Sequence, residues 1–426
     1  MSTSVTFNSA HRILLASDFF MARRPVVDRE QRLVAHELLF CSDDRTSAAS
    51  GNAEEQPAST TVIADVYEHG MGRVIGDLVG ILYLDPHAIM SDVFQFLPPE
   101  KLVLEIAAVH EVTPELTERL AELSGKGFRF ALVHADGDVD LTGLLPFVEG
   151  VRIDITGKSE AELARLYATY ALPGKRLLAE KVDTHEQFQV CYRLGFEYFQ
   201  GYYFTVPVFE AGKKLAPSQL AIMSVMALIV SDADSSVIEE RIKGNVSLGL
   251  NLLRLVNTPA ISAHRIDSLR QALMVLGRNQ LQRWLQVMLY ADNGNHGTIS
   301  MPLLDLATTR GRLMELLAQK LKPGNRGIAD TGFTVGIMSL MDSLFGMPME
   351  QILKQIPVVD EVADALLRRE GYFGQLLRLV EYTEWHSKTD TQLLQAIHEL
   401  RLSHNDLYLL QLAAFEWSDH VTRSVR

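Results

Sequence analysis

Glu180 is the first residue of this chain whose type and place suggest chemistry. It closes the β-type run Arg176 to Ala179, and a polar side chain at the C-terminal end of a strand is where α/β barrels place their reactive groups. A solvated loop glutamate is the alternative on spacing alone. Thr184, followed three residues later by Gln187, is a capping-box start for a helix. On that helix Phe188, Cys191, Tyr192 and Leu194 fall near one face, and Gly195 is a natural stop. A second β-rich run, Phe196 to Phe204, is dense in aromatics and carries Gln200-Gly201 at its middle. Strand, helix and strand are thus compressed into Arg176 to Pro207.

The elements needed to hold these residues come from the rest of the chain. At 426 residues it is long enough for two or three domains with sizeable cores. The formal charge of −13 argues against holding long nucleic acid through the overall field, while leaving room for a local basic pocket for a small anion. Cys41 and Cys191 are too few for a disulfide framework or a zinc cluster and read as free thiols in a reducing cytosol. No stretch reaches the roughly eighteen apolar residues of a membrane span, so a cytoplasmic protein without membrane contact is expected.

Residues 1–17 read as a tail. From Asp18, two β-rich pieces flank the polar turn Asp28 to Arg32, an antiparallel hairpin pattern. Cys41 to Ser59 is rich in Ser, Asp, Ala and Gly and reads as a surface loop. Helices at Ser59–Glu68, around Ser91, at Thr113–Ser124 and at Ser159–Tyr170 then alternate with strands at Leu78–Leu84, Leu102–Ile106, Phe128–Val133 and Val151–Ile155. That alternation predicts a parallel sheet closed into a barrel over residues 18–208. Residues 209–217 read as a linker, and 218–426 as an all-α domain. Its predicted helices are Leu220–Val230, Val246–Val256, Ser268–Leu276, Asn279–Tyr290, Pro302–Leu321, Phe333–Leu344, Val359–Arg369, Gly374–Trp385, Thr391–Leu400 and Asn405–Val421. The histidines of this half show no metal spacing.

The Ala179-Glu180-Lys181-Val182-Asp183-Thr184 segment, with Gln200-Gly201-Tyr202-Tyr203-Phe204-Thr205-Val206-Pro207, resembles the closing signature of EAL domains, the cyclic di-GMP phosphodiesterase family. The resemblance implies a TIM-like barrel with an antiparallel first strand, and Glu37-Leu38-Leu39 stands where the family has its naming triplet. It also implies two divalent metals that generate a hydroxide and hold phosphoryl oxygens. Glu37, Glu105, Arg152, Glu180 and Gln200 fall on family site positions, Arg152 in place of the family's lysine. Tyr83, Ala108, Val133 and His134 stand where the family carries an asparagine, a glutamate and the metal-bridging aspartate pair. Asp136 and Asp138 lie past the strand end, out of place to substitute. By this comparison the Mg/Mn site is expected to be lost, and no catalytic residue, metal or enzyme activity is expected.

In the second half, Leu252-Leu253-Arg254-Leu255-Val256-Asn257-Thr258-Pro259, followed by Ile266 to Gly277, resembles the HDOD domain, a relative of HD phosphohydrolases. Ser339 and Leu340 stand where the HD His-Asp pair would be. The paired resemblance implies a non-catalytic regulator acting by protein–protein contact in cyclic di-GMP-linked pathways. Sensor kinases, response regulators or cyclic di-GMP enzymes would be its partners, a homodimer is compatible, and nucleic acid is not expected. A sensor that binds cyclic di-GMP without hydrolysis and a weak phosphodiesterase are the other readings.

Overall fold

Alternating apolar residues on either side of Asp28–Arg32 fold back on themselves because the turn satisfies its own backbone. Asp28 N–H donates to the Arg32 carbonyl at 3.0 Å, Gln31 N–H donates to the Asp28 carbonyl at 2.9 Å, and Gln31 takes a left-handed φ of 58°. The computed structural model describes residues 19–42, 71–84, 86–92, 97–106, 112–134, 141–205, 216–258, 261–262, 264–291, 301–356, 358–384 and 390–425. The expected helix at Ser59–Glu68 lies outside these residues. So does most of the expected Cys41–Ser59 loop, whose first two positions instead extend the second strand.

The hairpin strands are β1 (Phe19–Val27) and β2 (Leu33–Ser42). After them come α1 (Met71–Ile75), β3 (Val79–Leu84), α2 (Pro86–Met90), β4 (Leu102–Ile106), α3 (Pro114–Gly125), β5 (Arg129–Val133), β6 (Val148–Asp154), α4 (Glu160–Tyr170), β7 (Arg176–Glu180), α5 (His185–Leu194) and β8 (Tyr198–Phe199). The eight strands close in sequence order, β1 pairing antiparallel with β2 and with β8 while β2 through β8 run parallel. The expected fold class, an eight-stranded barrel followed by a helical domain, is what the chain forms.

The predicted long strand Phe196–Phe204 is two residues long instead, followed by a 3₁₀ turn at Tyr202–Phe204. Gly201 causes the break. It sits at φ +153°, and a Cβ there would lie 2.2 Å from the Val182 carbonyl oxygen, so the chain passes too close to Val182 for any other residue.

The helical half comprises α6 (Pro217–Val230), α7 (Ser235–Lys243), α8 (Val246–Val256), α9 (Leu269–Ala291), α10 (Met301–Leu321), α11 (Arg326–Met338), α12 (Met341–Phe345), α13 (Met349–Gln355), α14 (Asp360–Arg368), α15 (Gly371–Glu384), α16 (Asp390–Glu399) and α17 (His404–Val425). Gly277 (φ 71°, ψ 168°) divides α9 where two helices were predicted. The predicted Phe333–Leu344 helix breaks at Ser339-Leu340, and α7 and α13 had no counterpart in the sequence pattern.

Each domain has its own apolar core, but the two interlock. Tyr408, Leu412 and Phe415 of α17 are buried within the barrel's cluster, and Leu33 of β2 belongs to that of the helical domain. The outer face of the first hairpin is therefore walled by the helical domain. Each such buried aromatic is worth about 1.5–3 kcal/mol over its exposed state.

Candidate functional site

Local backbone geometry aims five side chains at the barrel axis. Glu37 lies on β2, Glu105 on β4, Arg152 on β6 and Glu180 at the end of β7, and Gln200 follows β8. Gln200 is set by two main-chain bonds, its N–H donating to the Ala179 carbonyl and its carbonyl accepting from Val182 N–H, both at 2.9 Å. The capping box predicted at Thr184 is present and Gly195 ends α5 in the left-handed conformation at φ 108°, which anchors the helix between β7 and β8.

Arg152, only 2% exposed, occupies the middle. Its Nε donates to Glu105 Oε1 at 3.0 Å, its Nη2 lies 2.7 Å from Glu105 Oε2, its Nη1 donates to Glu37 Oε1 at 2.6 Å, and Glu180 Oε1 stands 3.6 Å from Nη1. The Gln200 amide donates to Glu37 Oε2 at 2.9 Å, and Arg24 Nη1 lies 3.8 Å from that same oxygen. The structure thus brings all five predicted positions into one buried cluster.

Burial opposes ionisation of every carboxyl here. For Glu37 the Arg152 and Arg24 charges outweigh it, and the carboxyl is held below its ordinary range. For Glu105 burial wins over Arg152, reinforced by the Glu37 and Glu180 charges, and its carboxyl is pushed up to about 8.

Of the positions expected to have departed from the family, Tyr83 is in register beside Glu105 and Val133 beside Arg152. His134 Nδ1 lies 3.0 Å from the Tyr170 phenol oxygen. Ala108, Asp136 and Asp138 lie outside the described residues. The donor set can be tested for a divalent cation. Glu37, Glu105 and Glu180 converge as such ligands would, but the space between them holds the Arg152 guanidinium, which already uses oxygens of all three. So arranged, these residues do not fit a divalent cation.

The helical domain holds a second buried arginine. Arg310 on α10 donates to both oxygens of Glu384 at 2.9 and 2.5 Å, and to Ser339 Oγ at 2.7 Å. Ser339 donates onward to the Gly336 carbonyl at 2.6 Å, and Leu340 is buried beside it. The positions that would carry an HD pair therefore lie at the break between α11 and α12, with Ser339 bound to an arginine. Sequence reasoning missed Arg310, Arg24 and the buried Arg23–His36–Asp305 group. Their signal was a charged residue or histidine inside an otherwise apolar run.

Residues 215–347 match the HDOD domain, so the chain carries an HDOD domain there. It is 27% identical over 408 residues, covering 93% of this chain and 97% of the relative, to the uncharacterized protein YuxH of Bacillus subtilis. It is 26% identical over 414 residues, covering 95% of this chain and 94% of the relative, to the cyclic di-GMP phosphodiesterase CdgJ of Vibrio cholerae. The barrel resembles an EAL domain protein from Listeria monocytogenes, at a TM-score of 0.36 and 17% identity, covering 47% of this chain and 94% of that one. It also resembles the PaMucR phosphodiesterase in a c-di-GMP complex, at 0.37 and 16%, covering 43% and 94%.

These findings correct one expectation. The departures at Tyr83, Ala108, Val133 and His134 lead to the expectation that the chain is not an enzyme. A relative aligned over almost the whole of both chains bears a phosphodiesterase name, so that conclusion does not stand. Lost ligand positions do not by themselves mean lost chemistry, and Glu37, Glu105, Glu180 and Gln200 remain together in the centre. Among the described residues no helix is long and apolar enough to cross a membrane.

Proposed function

We propose that this chain works in cyclic di-GMP signalling, the barrel meeting the cyclic dinucleotide and the helical domain presenting the outcome to signalling proteins such as kinases, response regulators or cyclic di-GMP enzymes. The observation that carries this reading is the alignment, across both domains, with a protein named as a cyclic di-GMP phosphodiesterase. The geometry adds a way to respond to a phosphate. Arg152 holds Glu180 at 3.6 Å, its loosest carboxylate contact, so an incoming phosphate oxygen competes there first. Hydrolysis is the second reading, and Glu105 favours it. A carboxyl titrating at about 8 is a candidate general acid for a leaving alkoxide near neutral pH.

Calorimetry with cyclic di-GMP, with product analysis of the same mixture, tests both. Binding heat that disappears in Arg152→Met supports the ligand reading. Linear dinucleotide formed by the wild type and lost in Glu105→Gln establishes hydrolysis, and neither heat nor product overturns the proposal.

A further inference from the structure

The first hairpin carries polar side chains on both of its faces, and consecutive residues serve different domains. On β2, Glu37 points to the Arg152 centre while His36 points out to the helical domain. On β1, Arg24 lies near Glu37 while Arg23 points out beside His36's partner. The register places Arg24 opposite Glu37 and Pro25 opposite His36, as expected when facing residues of an antiparallel pair share a side.

The outward group is buried and tightly bonded. Asp305 of α10 lies 3.1 Å from His36 Nε2 through Oδ2, while its Oδ1 accepts from Arg23 Nη2 at 2.8 Å and from Ser418 Oγ at 3.0 Å. Ser418 of α17 lies 2.6 Å from Thr308 Oγ1. Asp419 Oδ1 is 3.1 Å from Arg23 Nη1, which also donates to the Val74 carbonyl, and the guanidinium lies 4.3 Å from the centre of the Phe415 ring. The side chains of Arg23, His36 and Asp305 are 3%, 0% and 8% exposed.

We propose that Asp305 is a positioning residue for Glu37, so that the helical domain sets the geometry of the barrel centre through the β1–β2 hairpin. The physical basis is the strand itself. Neighbouring side chains on an extended backbone project to opposite faces of one stiff, hydrogen-bonded ribbon, so a displacement of His36 is passed to Glu37 through a single peptide unit. A close-packed interior transmits that displacement rather than absorbing it. Such coupling is reciprocal: what Asp305 does to the barrel centre, Glu37 does to α10 and α17.

Amide hydrogen exchange on the full chain tests this without any nucleotide, so its failure is separate from failure of the cyclic di-GMP reading. Asp305→Asn should raise exchange by about threefold or more in peptides over β6 and over β8 with its following turn, which Asp305 does not touch. Glu37→Gln should do the same around Asp305 and Ser418. Asn257→Ala, which removes the side-chain bonds between the end of α8 and the Ile266 backbone, should leave the barrel peptides unchanged. His36→Gln, which keeps a donor for Asp305, should resemble the wild type, and His36→Leu should resemble Asp305→Asn. Should Asp305→Asn not fold, Ser418→Ala reads the same peptides at smaller amplitude. Protection lost only in the hairpin and α10, or equal changes with Asn257→Ala, overturns the proposal.

Discussion

Arg152 in the barrel and Arg310 in the helical domain are guanidiniums of similar burial, 2% and 4% exposed, and both are bound by glutamates. Arg152 collects Glu37, Glu105 and Glu180 from three strands spread over more than half of the barrel sequence. Arg310 takes both oxygens of one residue, Glu384, with Glu381 of the same helix at 3.6 Å and a neutral Ser339. In the barrel, three carboxyl groups surround one guanidinium, and burial pushes the Glu105 carboxyl up to about 8. In the helical domain, one bidentate pair nearly balances itself, and Glu381 keeps a quarter of its side chain in solvent. Two buried arginines thus make different devices: one a many-strand tie with a titratable member, the other a two-helix clamp.

Removing each arginine gives the largest expected effect. Arg152→Met leaves three carboxyl groups buried around a neutral side chain and should cost about 3–5 kcal/mol of unfolding free energy by urea denaturation. Arg310→Met should fall at the low end of that range, about 3 kcal/mol, because its carboxylate partners are fewer and one is partly solvated. Equal losses would break the comparison.

The proton on Glu105 sharpens it. A carboxyl raised from 4.5 to about 8 on folding contributes stability that is fully present below the unfolded value and is lost as pH rises through the folded one. The Glu105 contribution should therefore decline from about pH 4.5 to about pH 8, and it is read as the difference between the wild-type and Glu105→Gln profiles, because His36, lowered by burial, contributes with the opposite sign. A difference between the two profiles without slope across this window would break the contrast with Arg310.

The smallest effect is expected at the exposed ion pairs that join the two domains at the surface. Arg73 meets Glu416 at 3.2 Å and Arg423 meets Asp77 at 2.8 Å, both half in solvent. Arg73→Ala or Arg423→Ala should change stability by at most about 1 kcal/mol, and the change should shrink in added salt.

Much of the barrel could be read from the sequence because its signals are local. The Asp28–Arg32 turn, the Thr184 capping box, the Gly195 stop and the Glu180 strand end each depend on residues within a few positions of one another. Gln200 and Glu37 were placed by the resemblance and do converge. The end of β8 was not legible, since the close approach of Gly201 to Val182 is a tertiary fact written in a single glycine. Arg23, His36 and Asp305 were passed over for the same reason: Arg23 and Asp305 stand 282 residues apart, and no periodicity links them. The arginine taken as a substitute for a lysine proved to be the hub of the centre, which its charge suggested but its partners alone could show.

The wall that α17 provides for the first hairpin also bears on how the molecule is made. Asp419 follows Arg23 by 396 residues, so during synthesis β1 and β2 leave the ribosome long before the helix that covers their outer face. Until then Arg23 and His36 lack Asp305 and Asp419, and the barrel surface that later receives Tyr408, Leu412 and Phe415 is uncovered. Contacts of such sequence separation pay their chain-closure entropy before they return any stability. The barrel of a nascent chain therefore waits for its wall, with its opening strands exposed to chaperones in the interval.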